Sequence, residues 1–188
     1  MKNDLSKMMC LDLYLSSLSH TEYQKIKQHL KATGNSQMPL MSWDISGQAY
    51  QRRIQVLQKK NDLSKLLDLA GKYNWNNSIT EILANRDYEA LVLTDVSQKI
   101  VWVNKGFSEM TGYSAKFALN RSPSFLSGPE TSTIARKRIA EKLNEGMPFK
   151  EVIVNYRKNK DKYNCELNIF PLYGNEVTHY LALERQVG

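Results

Sequence analysis

The sequence is poor in cysteine and contains no long apolar run. Its two cysteines, Cys10 and Cys165, lie far apart in 188 residues and form no CxxC pair. Neither a disulfide framework nor a structural zinc site is therefore predicted. No apolar stretch approaches the roughly 20 residues that a membrane span needs. Residues 1–15 also lack the form of a signal peptide, since Asp4 and Asp12 interrupt them. We expect a cytoplasmic protein with no membrane partner.

Catalytic and metal-binding patterns are also missing. The three histidines, His20, His29 and His179, have no carboxylate or cysteine partners at the spacing of metal ligands. No nucleophile elbow, phosphate-binding glycine loop or pair of carboxylates is present. We therefore expect no metal site and no enzymatic activity.

The net charge of +7 is spread too thinly to indicate nucleic-acid binding. Residues 1–86 hold 12 basic against 7 acidic side chains, and residues 87–188 hold 14 against 12. Dense basic pairs occur in the first segment only at Arg52–Arg53 and Lys59–Lys60. A nucleic-acid partner would favour a denser stripe and a known motif, so a DNA-associated regulator is kept only as an alternative.

Residues 1–86 are predicted to form an all-α extension. An apolar stripe runs from Leu5 to Leu18, and Ser19 with Glu22 has the spacing of a capping box before a second helix. A long helix is then predicted over residues 42–75. Its apolar side is expected to carry Ile54, Leu57, Leu66, Leu67 and Ala70.

Residues 87–188 change to the pattern of a mixed domain. The runs EALVLTD and KIVWVN predict a hairpin, and short helices follow around Gly112. A helix over residues 131–146 is expected to turn Ile134, Ile139 and Leu143 inward and to stop at Gly146. Three more strands, FKEVIVNYR, KYNCELNIFPL and EVTHYLALERQ, predict an antiparallel meander. The order β-β-α-α-α-β-β-β indicates an α+β fold in which helices cover one face of a single sheet.

Residues 88–187 resemble a PAS domain. The resemblance rests on IVWVNKGFSEMTGYS, FLSGPET, VIVNYRKNKDKYNCELNIFPL and HYLALERQ. The light–oxygen–voltage (LOV) branch, whose members use a cysteine that attacks an excited flavin, is the most similar. The resemblance implies a five-stranded antiparallel sheet with helices on one face and a pocket for a small ligand between them.

The residues that hold flavin in the LOV branch are mostly replaced. Matched backwards from Gly128, Pro123 falls at the reactive cysteine, so thiol-adduct chemistry is predicted to be absent. An asparagine is kept at Asn155, whereas Glu184 replaces a glutamine and supplies only acceptors when ionised. The candidate ligand-binding residues carried over in this way are Ser122, Ser124, Ser127, Asn155, Cys165 and Glu184. We expect no cofactor, with flavin mononucleotide (FMN) held without an adduct as the alternative.

Two functions are therefore open. The first is a signalling module that acts by protein–protein interaction with a partner, and the second is a sensor whose pocket binds a small molecule. The same residues also have a purely structural interpretation, in which the three serines cap or turn their loop and Cys165 is a small buried hydrophobe.

Alternation along the strands predicts an apolar outer face on the sheet. If Asn155, Cys165 and Glu184 point into the pocket, their sequence neighbours point away from it. A face of this kind is normally covered. We expect helices from residues 1–86 to cover it, within a homodimer. The outward residues are Val152, Val154, Tyr156, Phe170, Leu181 and Leu183.

Overall fold

The computed structural model describes residues 18, 19, 21–23, 42–84 and 86–188. The chain forms two compact units, Met1–Ala49 and Tyr50–Gly188. Segments 50–84 thus belong to the same unit as the sheet, although the sequence places them in the extension. The predicted helix that starts near Leu5 lies outside the described residues.

One half of the predicted capping box is present at Ser19. The backbone N–H of Ser19 donates to the Glu22 carboxylate at 3.1 Å, and its hydroxyl donates to the same oxygen at 2.6 Å. The residues after it, 21–23, are helical. The pattern of a serine followed three residues later by glutamate therefore marked a true helix start.

Helix α1 spans Ser42–Tyr73, and a short helix α2 spans Ile79–Leu83 behind the cap Ser78. The buried side of α1 differs from the predicted one. Leu66 is fully buried, whereas Leu57 and Leu67 are 59% and 46% exposed. The prediction failed because α1 carries leucines on two sides, and only contact with the sheet decides which side is buried.

The second unit is built on a five-stranded antiparallel sheet in the order β2-β1-β5-β4-β3. Helices α3, α4 and α5 and a 3₁₀ helix lie between β2 and β3 in the chain, which confirms the predicted α+β architecture. The strands are β1 Ala90–Asp95, β2 Ile100–Val103, β3 Phe149–Tyr156, β4 Lys162–Tyr173 and β5 Val177–Val187. The helices are α3 Lys105–Thr111, α4 Ala115–Ala118, the 3₁₀ helix Pro123–Leu126 and α5 Thr133–Glu145.

Helix α5 is positioned by its ends. Ser132 caps its start by accepting from the Ala135 N–H, and Gly146 ends it in a left-handed conformation at φ 66°. Leu143 is buried and Ile139 is half-buried, but Ile134 is 67% exposed. The expected inward position of Ile134 is wrong, because Ala135 takes the buried place in the first turn of the helix.

The two faces of the sheet belong to separate apolar cores. The inner core joins Val92, Ile153, Leu167 and Ile169 to the helices α3 to α5. The outer core joins a set of strand leucines to α1 and α2 through Leu66, Ile79 and Ile82. These strand leucines are Leu91, Leu93, Leu172, Leu181 and Leu183.

The end of α1 is fixed to the sheet by aromatic side chains. Trp75 is buried, and its indole N–H donates to the Thr178 hydroxyl at 2.9 Å. The Tyr73 ring lies 5.5 Å from the Trp75 ring and 4.2 Å from that of His179. Residues 53–84 therefore cover the outer face from within the same chain.

This cover does not reach β3. Val152 is 47% exposed, and Val154 is half-buried. Beside them the outer face turns polar, because Glu166 forms ion pairs with Lys150 at 2.9 Å and Arg185 at 3.1 Å. Of the six predicted outward residues, Leu181, Leu183 and the half-buried Phe170 belong to the covered core, whereas the β3 residues lie beyond it.

We expect the two neighbouring leucines of α1 to differ sharply in their effect on stability. Leu66→Ala removes a fully buried side chain from the outer core and should lower the free energy of unfolding by about 2–5 kcal/mol. The matched control Leu67→Ala removes a half-exposed side chain and should cost less than about 1 kcal/mol. Urea unfolding measures both. Equal losses would contradict the buried face described for α1.

Candidate functional site

A cavity of about 190 Å³ lies between the inner face of the sheet and the helical side. Its walls are mostly apolar, and they include Val92, Leu126, Ile139, Ile153 and Leu167. Exposed polar side chains, among them Gln98, Ser124 and Arg136, lie at its rim. The volume is below the roughly 300 Å³ at which pockets for drug-sized ligands begin. The cavity therefore suits a compact, largely apolar molecule.

The serine-rich loop forms one wall of this cavity. Ser122, Pro123, Ser124 and Ser127 all line it. Ser122 also caps the 3₁₀ helix by accepting from the Ser124 N–H at 3.5 Å, and Pro123 occupies the first helical position. A proline suits that position because its fixed φ is already helical. The site matched to the reactive cysteine thus holds a residue that shapes the backbone.

The rest of the FLSGPET motif attaches the loop to the edge strand β3. A Cβ on Gly128 would lie 2.3 Å from the Tyr156 ring, so only glycine permits this contact. The Glu130 N–H donates to the Tyr156 hydroxyl at 3.1 Å, and the Thr131 hydroxyl donates to the Val154 carbonyl at 2.6 Å. Tyr156, which alternation assigned to the outer face, therefore contacts this loop and is not covered by α1.

The motif around Asn104 has a structural role as well. The Asn104 side-chain oxygen accepts from the Leu91 N–H at 2.9 Å and from the Phe107 N–H at 3.0 Å, which ties the start of α3 to β1. Its amide nitrogen donates to the Asp62 carboxylate of α1 at 2.9 Å. Burial outweighs that bond and raises the pKa of Asp62. Sequence reasoning missed Asp62, since one acidic residue on a polar helix gives no signal.

Asn155 and Glu184 are the two deeply buried polar residues that line the cavity. They lie on β3 and β5, and their side chains are 7% and 4% exposed. Cys165 does not line the cavity as expected. It is fully buried behind Glu184, and its Sγ lies 3.9 Å from the Glu184 carboxylate. The sequence pattern could not predict this difference, because alternation gives the side of the sheet on which a side chain lies but not its depth.

The electrostatics of this buried pair are set by desolvation. Burial raises the pKa of Glu184 from 4.5 to about 7, with the weak contact from Cys165 acting in the opposite direction. Burial and the nearby Glu184 carboxyl also raise the pKa of the Cys165 thiol. The thiol is therefore protonated at neutral pH and is a poor nucleophile.

A second groove of about 560 Å³ lies between α1 and the start of α3. Its walls mix both signs of charge, with Lys59, Asp62, Glu89, Lys105 and Arg157 among them. Within the described part of the chain, no group of three metal-ligating side chains comes together. No helix in the same residues is long and apolar enough to cross a membrane.

An antiparallel five-stranded sheet with a small cavity under its helices is the fold that the resemblance to a PAS domain implied. The family model described as PAS domain matches residues 89–185, about half of the chain. This chain belongs to the PAS family. Its fold and motifs place it close to the LOV branch.

Similar proteins come from several signalling systems. A blue-light photoreceptor of Listeria innocua is 32% identical over 101 residues, which cover 52% of this chain and 40% of that protein. A nitrogen fixation regulatory protein of Klebsiella oxytoca is 29% identical over 100 residues, covering 52% of this chain and 20% of that protein. The chain thus spans less than half the length of these relatives.

Solved structures show the same likeness. The light state of the Aureochrome1 LOV photoreceptor domain aligns with a TM-score of 0.52 at 25% identity, covering 60% of this chain and 90% of that one. The LOV domain of a blue-light activated histidine kinase from Erythrobacter litoralis aligns with a TM-score of 0.51 at 28% identity, covering 55% and 99%. The fold is therefore similar to that of LOV domains from blue-light-responsive proteins.

We expect Glu184 to make stability fall as pH rises. The folded chain holds the proton to about pH 7, whereas the unfolded chain releases it near 4.5, so the contribution is complete below about 4.5 and is lost as pH rises through 7. Glu184→Gln should therefore be more stable than the parent at pH 8, by about 3 kcal/mol, and similar to it at pH 4. Thermal unfolding at both pH values measures this.

The control for this experiment is Glu176→Gln, which changes an exposed carboxyl in the turn between β4 and β5. It should leave the pH dependence as in the parent. A Glu184→Gln variant with the parent's pH dependence would contradict a buried, protonated Glu184.

Proposed function

We propose that this chain is a cytoplasmic, non-catalytic signalling module of the PAS family that works without cysteinyl-flavin photochemistry. It passes its signal to a partner protein through α1, the helix that covers the outer face of the sheet. The observation that supports the absence of photochemistry is Pro123, which lines the cavity where LOV-like photoreceptors carry the reactive cysteine. A proline has no nucleophile that could attack a flavin ring.

Cys165 does not compensate for this loss. It lies behind Glu184, outside the lining of the cavity, and burial keeps its thiol protonated. Flavin phosphate would also meet Ser124 where an arginine is expected, and a hydroxyl offers neither the charge nor the paired donors of a guanidinium.

Mixed with FMN and illuminated with blue light, the purified protein should show no reversible bleaching of the flavin band. Pro123→Cys in a variant that also carries Ser122→Asn, Ser124→Arg, Ser127→Gln, Cys165→Asn and Glu184→Gln should bind FMN more tightly and regain bleaching. Absorbance spectroscopy in the dark and after illumination measures both. Reversible bleaching of the parent would contradict the proposal and would point to a thiol that reaches the flavin.

A sensor whose input is a small molecule in the cavity is the alternative. It is favoured by Asn155 and Glu184, two buried polar side chains on the wall of an otherwise apolar space. FMN held without an adduct is one form of this alternative. A compact molecule that is not a flavin is the other form, and it agrees better with the volume of about 190 Å³.

The exposed side of α1 suits contact with a second copy of the chain. Val56, Leu57 and Leu67 are 66%, 59% and 46% exposed, on sides of the helix that do not face the outer core. Gly71 follows on the same side with open space around it. A glycine inside a helix lowers stability by roughly 1 kcal/mol relative to alanine, but it allows another helix to approach closely.

This side of α1 is also partly self-complementary in charge, because an antiparallel copy centred on Ser64 would set Lys60 opposite Asp68. We therefore assign the homodimer contact to this side of α1.

Charge introduced on this side should separate the dimer. Leu57→Asp and Leu67→Asp place a carboxylate within the apolar contact and should each convert a dimer into a monomer without lowering the thermal stability of the fold. Gln55→Glu is the matched control, since it adds the same charge at an exposed position on another side of the helix from Leu57 and Leu67. Analytical ultracentrifugation gives the molar mass. A monomeric parent, or dimers that persist in both variants, would contradict this contact.

A further inference from the structure

The end of α1 is held against the sheet around one buried histidine. His179 lies on β5 and is 7% exposed. Its ring centre lies 4.2 Å from that of Tyr73 and 5.2 Å from that of Trp75. Its Nδ1 atom lies 3.0 Å from the Thr178 hydroxyl, which also accepts from the Trp75 indole N–H at 2.9 Å. One imidazole therefore contacts both aromatic side chains that fix this end of the helix.

The hydrogen bonds of this cluster favour a neutral imidazole. The Thr178 hydroxyl has one proton to donate, and Trp75 already uses one of its acceptor sites. A neutral His179 without a hydrogen on Nδ1 accepts that proton at 3.0 Å. Protonation turns Nδ1 into a donor, and the Thr178 proton must then turn to the Leu172 carbonyl at the longer distance of 3.4 Å. Protonation of His179 therefore rearranges the bonds of this hydroxyl and places a charge in a mostly apolar site.

The charges around His179 do not compensate for this burial. Asp95 lies opposite His179 on β1, and its carboxylate favours the protonated form. On α1, the Lys72 ammonium lies 5.0 Å from the centre of the Tyr73 ring and disfavours a second cation there. Burial is the larger effect and lowers the pKa of His179 below its ordinary value of 6.5. Other titratable groups near this end of the sheet are Lys99 after β1, Tyr173 and Glu176 at the turn from β4 to β5, and Tyr180 on the inner face.

The turn after α1 is attached by bonds that do not titrate. Asn74 follows the helix in a left-handed conformation at φ 53°. The Asn76 N–H donates to the Tyr173 carbonyl at 2.7 Å, and the Asn77 side chain accepts from the Tyr173 N–H at 2.7 Å. Amide groups keep their protons over the range in which histidine titrates. The turn therefore stays on the sheet when the histidine cluster changes, and it gives the last turn of α1 a fixed point about which to move.

We propose that the end of α1 is a proton-sensitive attachment, in which protonation of His179 loosens Tyr73 and Trp75 from the sheet. The last turn of α1 then opens more often about residues 74–77. The effect grows as the pH falls below about 6.5, because an opened ring takes up a proton at its ordinary pKa whereas the packed ring resists it. As a signal this loosening rests on the proposed role of α1, whereas the loosening itself is a property of the fold.

Hydrogen–deuterium exchange of the full-length chain at pH 5 and pH 7.5 tests this opening. After correction for intrinsic exchange, the amides of residues 69–73 should lose protection at pH 5 by roughly 3- to 30-fold, where 30-fold is the limit for a packed ring that takes up no proton. His179→Asn keeps an acceptor oxygen close to the position of Nδ1 and does not titrate, so its protection should not depend on pH. His20→Asn is the matched control, since it removes a histidine from the first unit, and it should behave like the parent.

A second measurement follows the proton itself and does not depend on the folding of His179→Asn. Side-chain NMR of the parent should give His179 a titration midpoint below 6.5. Asp95→Asn keeps an oxygen that can accept from the Lys99 N–H but removes the charge, so it should move this midpoint to lower pH. A role of His179 in packing alone would not produce such a shift.

A His179 midpoint at or above 6.5 would show that Asp95 and the two aromatic rings stabilise the cation, and it would overturn the inference. Equal protection at both pH values, or a pH dependence that persists in His179→Asn, would also overturn it. Glu184 titrates in the same range, but it is present in all of these variants and does not account for a difference between them. The proposed function is judged separately, because its photochemical and association tests do not involve His179.

Discussion

The fold depends on keeping five leucines on the outer face of the sheet away from water. The inner face cannot bury them, because it is already packed against the helices α3 to α5. Leu91, Leu93, Leu172, Leu181 and Leu183 are all buried under α1 and α2. Burying a leucine contributes about 1.5–3 kcal/mol, so the five together are comparable with the net stability of a whole domain. Residues 53–84 are consequently part of the folding unit of the sheet, and the domain cannot be understood from residues 87–188 alone. The aromatic contacts of Trp75 and the Asp62–Asn104 bond then fix where this cover lies.

The family likeness and the chemistry of the cavity depend on different residues. Gly128, Thr131 and Asn104 hold backbone segments together, and they do so whether or not a cofactor is bound. Ser122, Pro123 and Glu184 line the cavity, and these are among the positions at which the chain departs from the pattern of the LOV branch. Substitution of the cavity residues therefore leaves the motif recognisable, because packing constraints preserve the first set independently of the second.

Sequence reasoning succeeded where the physical signal was local. The period of two along β5 separated Leu181 and Leu183 from Glu184, and Gly146 located the end of α5. It failed where a choice depended on distant partners. The stripe of α1 gave no means to prefer Leu66 over Leu67, and Ile134 was placed inside although Ala135 fits there. The depth of Cys165 and the pairing of Asp62 with Asn104 depend on three-dimensional neighbours that no spacing in the chain encodes.

The Asn104 amide uses its two ends on different parts of the chain. The oxygen accepts hydrogen bonds from backbone N–H groups of β1 and α3, and the nitrogen donates to the Asp62 carboxylate on α1. An aspartate at this position would keep the first set of bonds but set two carboxylates against each other, and a serine would be too short to span both. Substitution at position 62 or position 104 is therefore restricted by the residue at the other position. Among sequences that keep this helix on the sheet, we expect position 62 to supply an acceptor oxygen wherever position 104 is asparagine, so the two positions should covary.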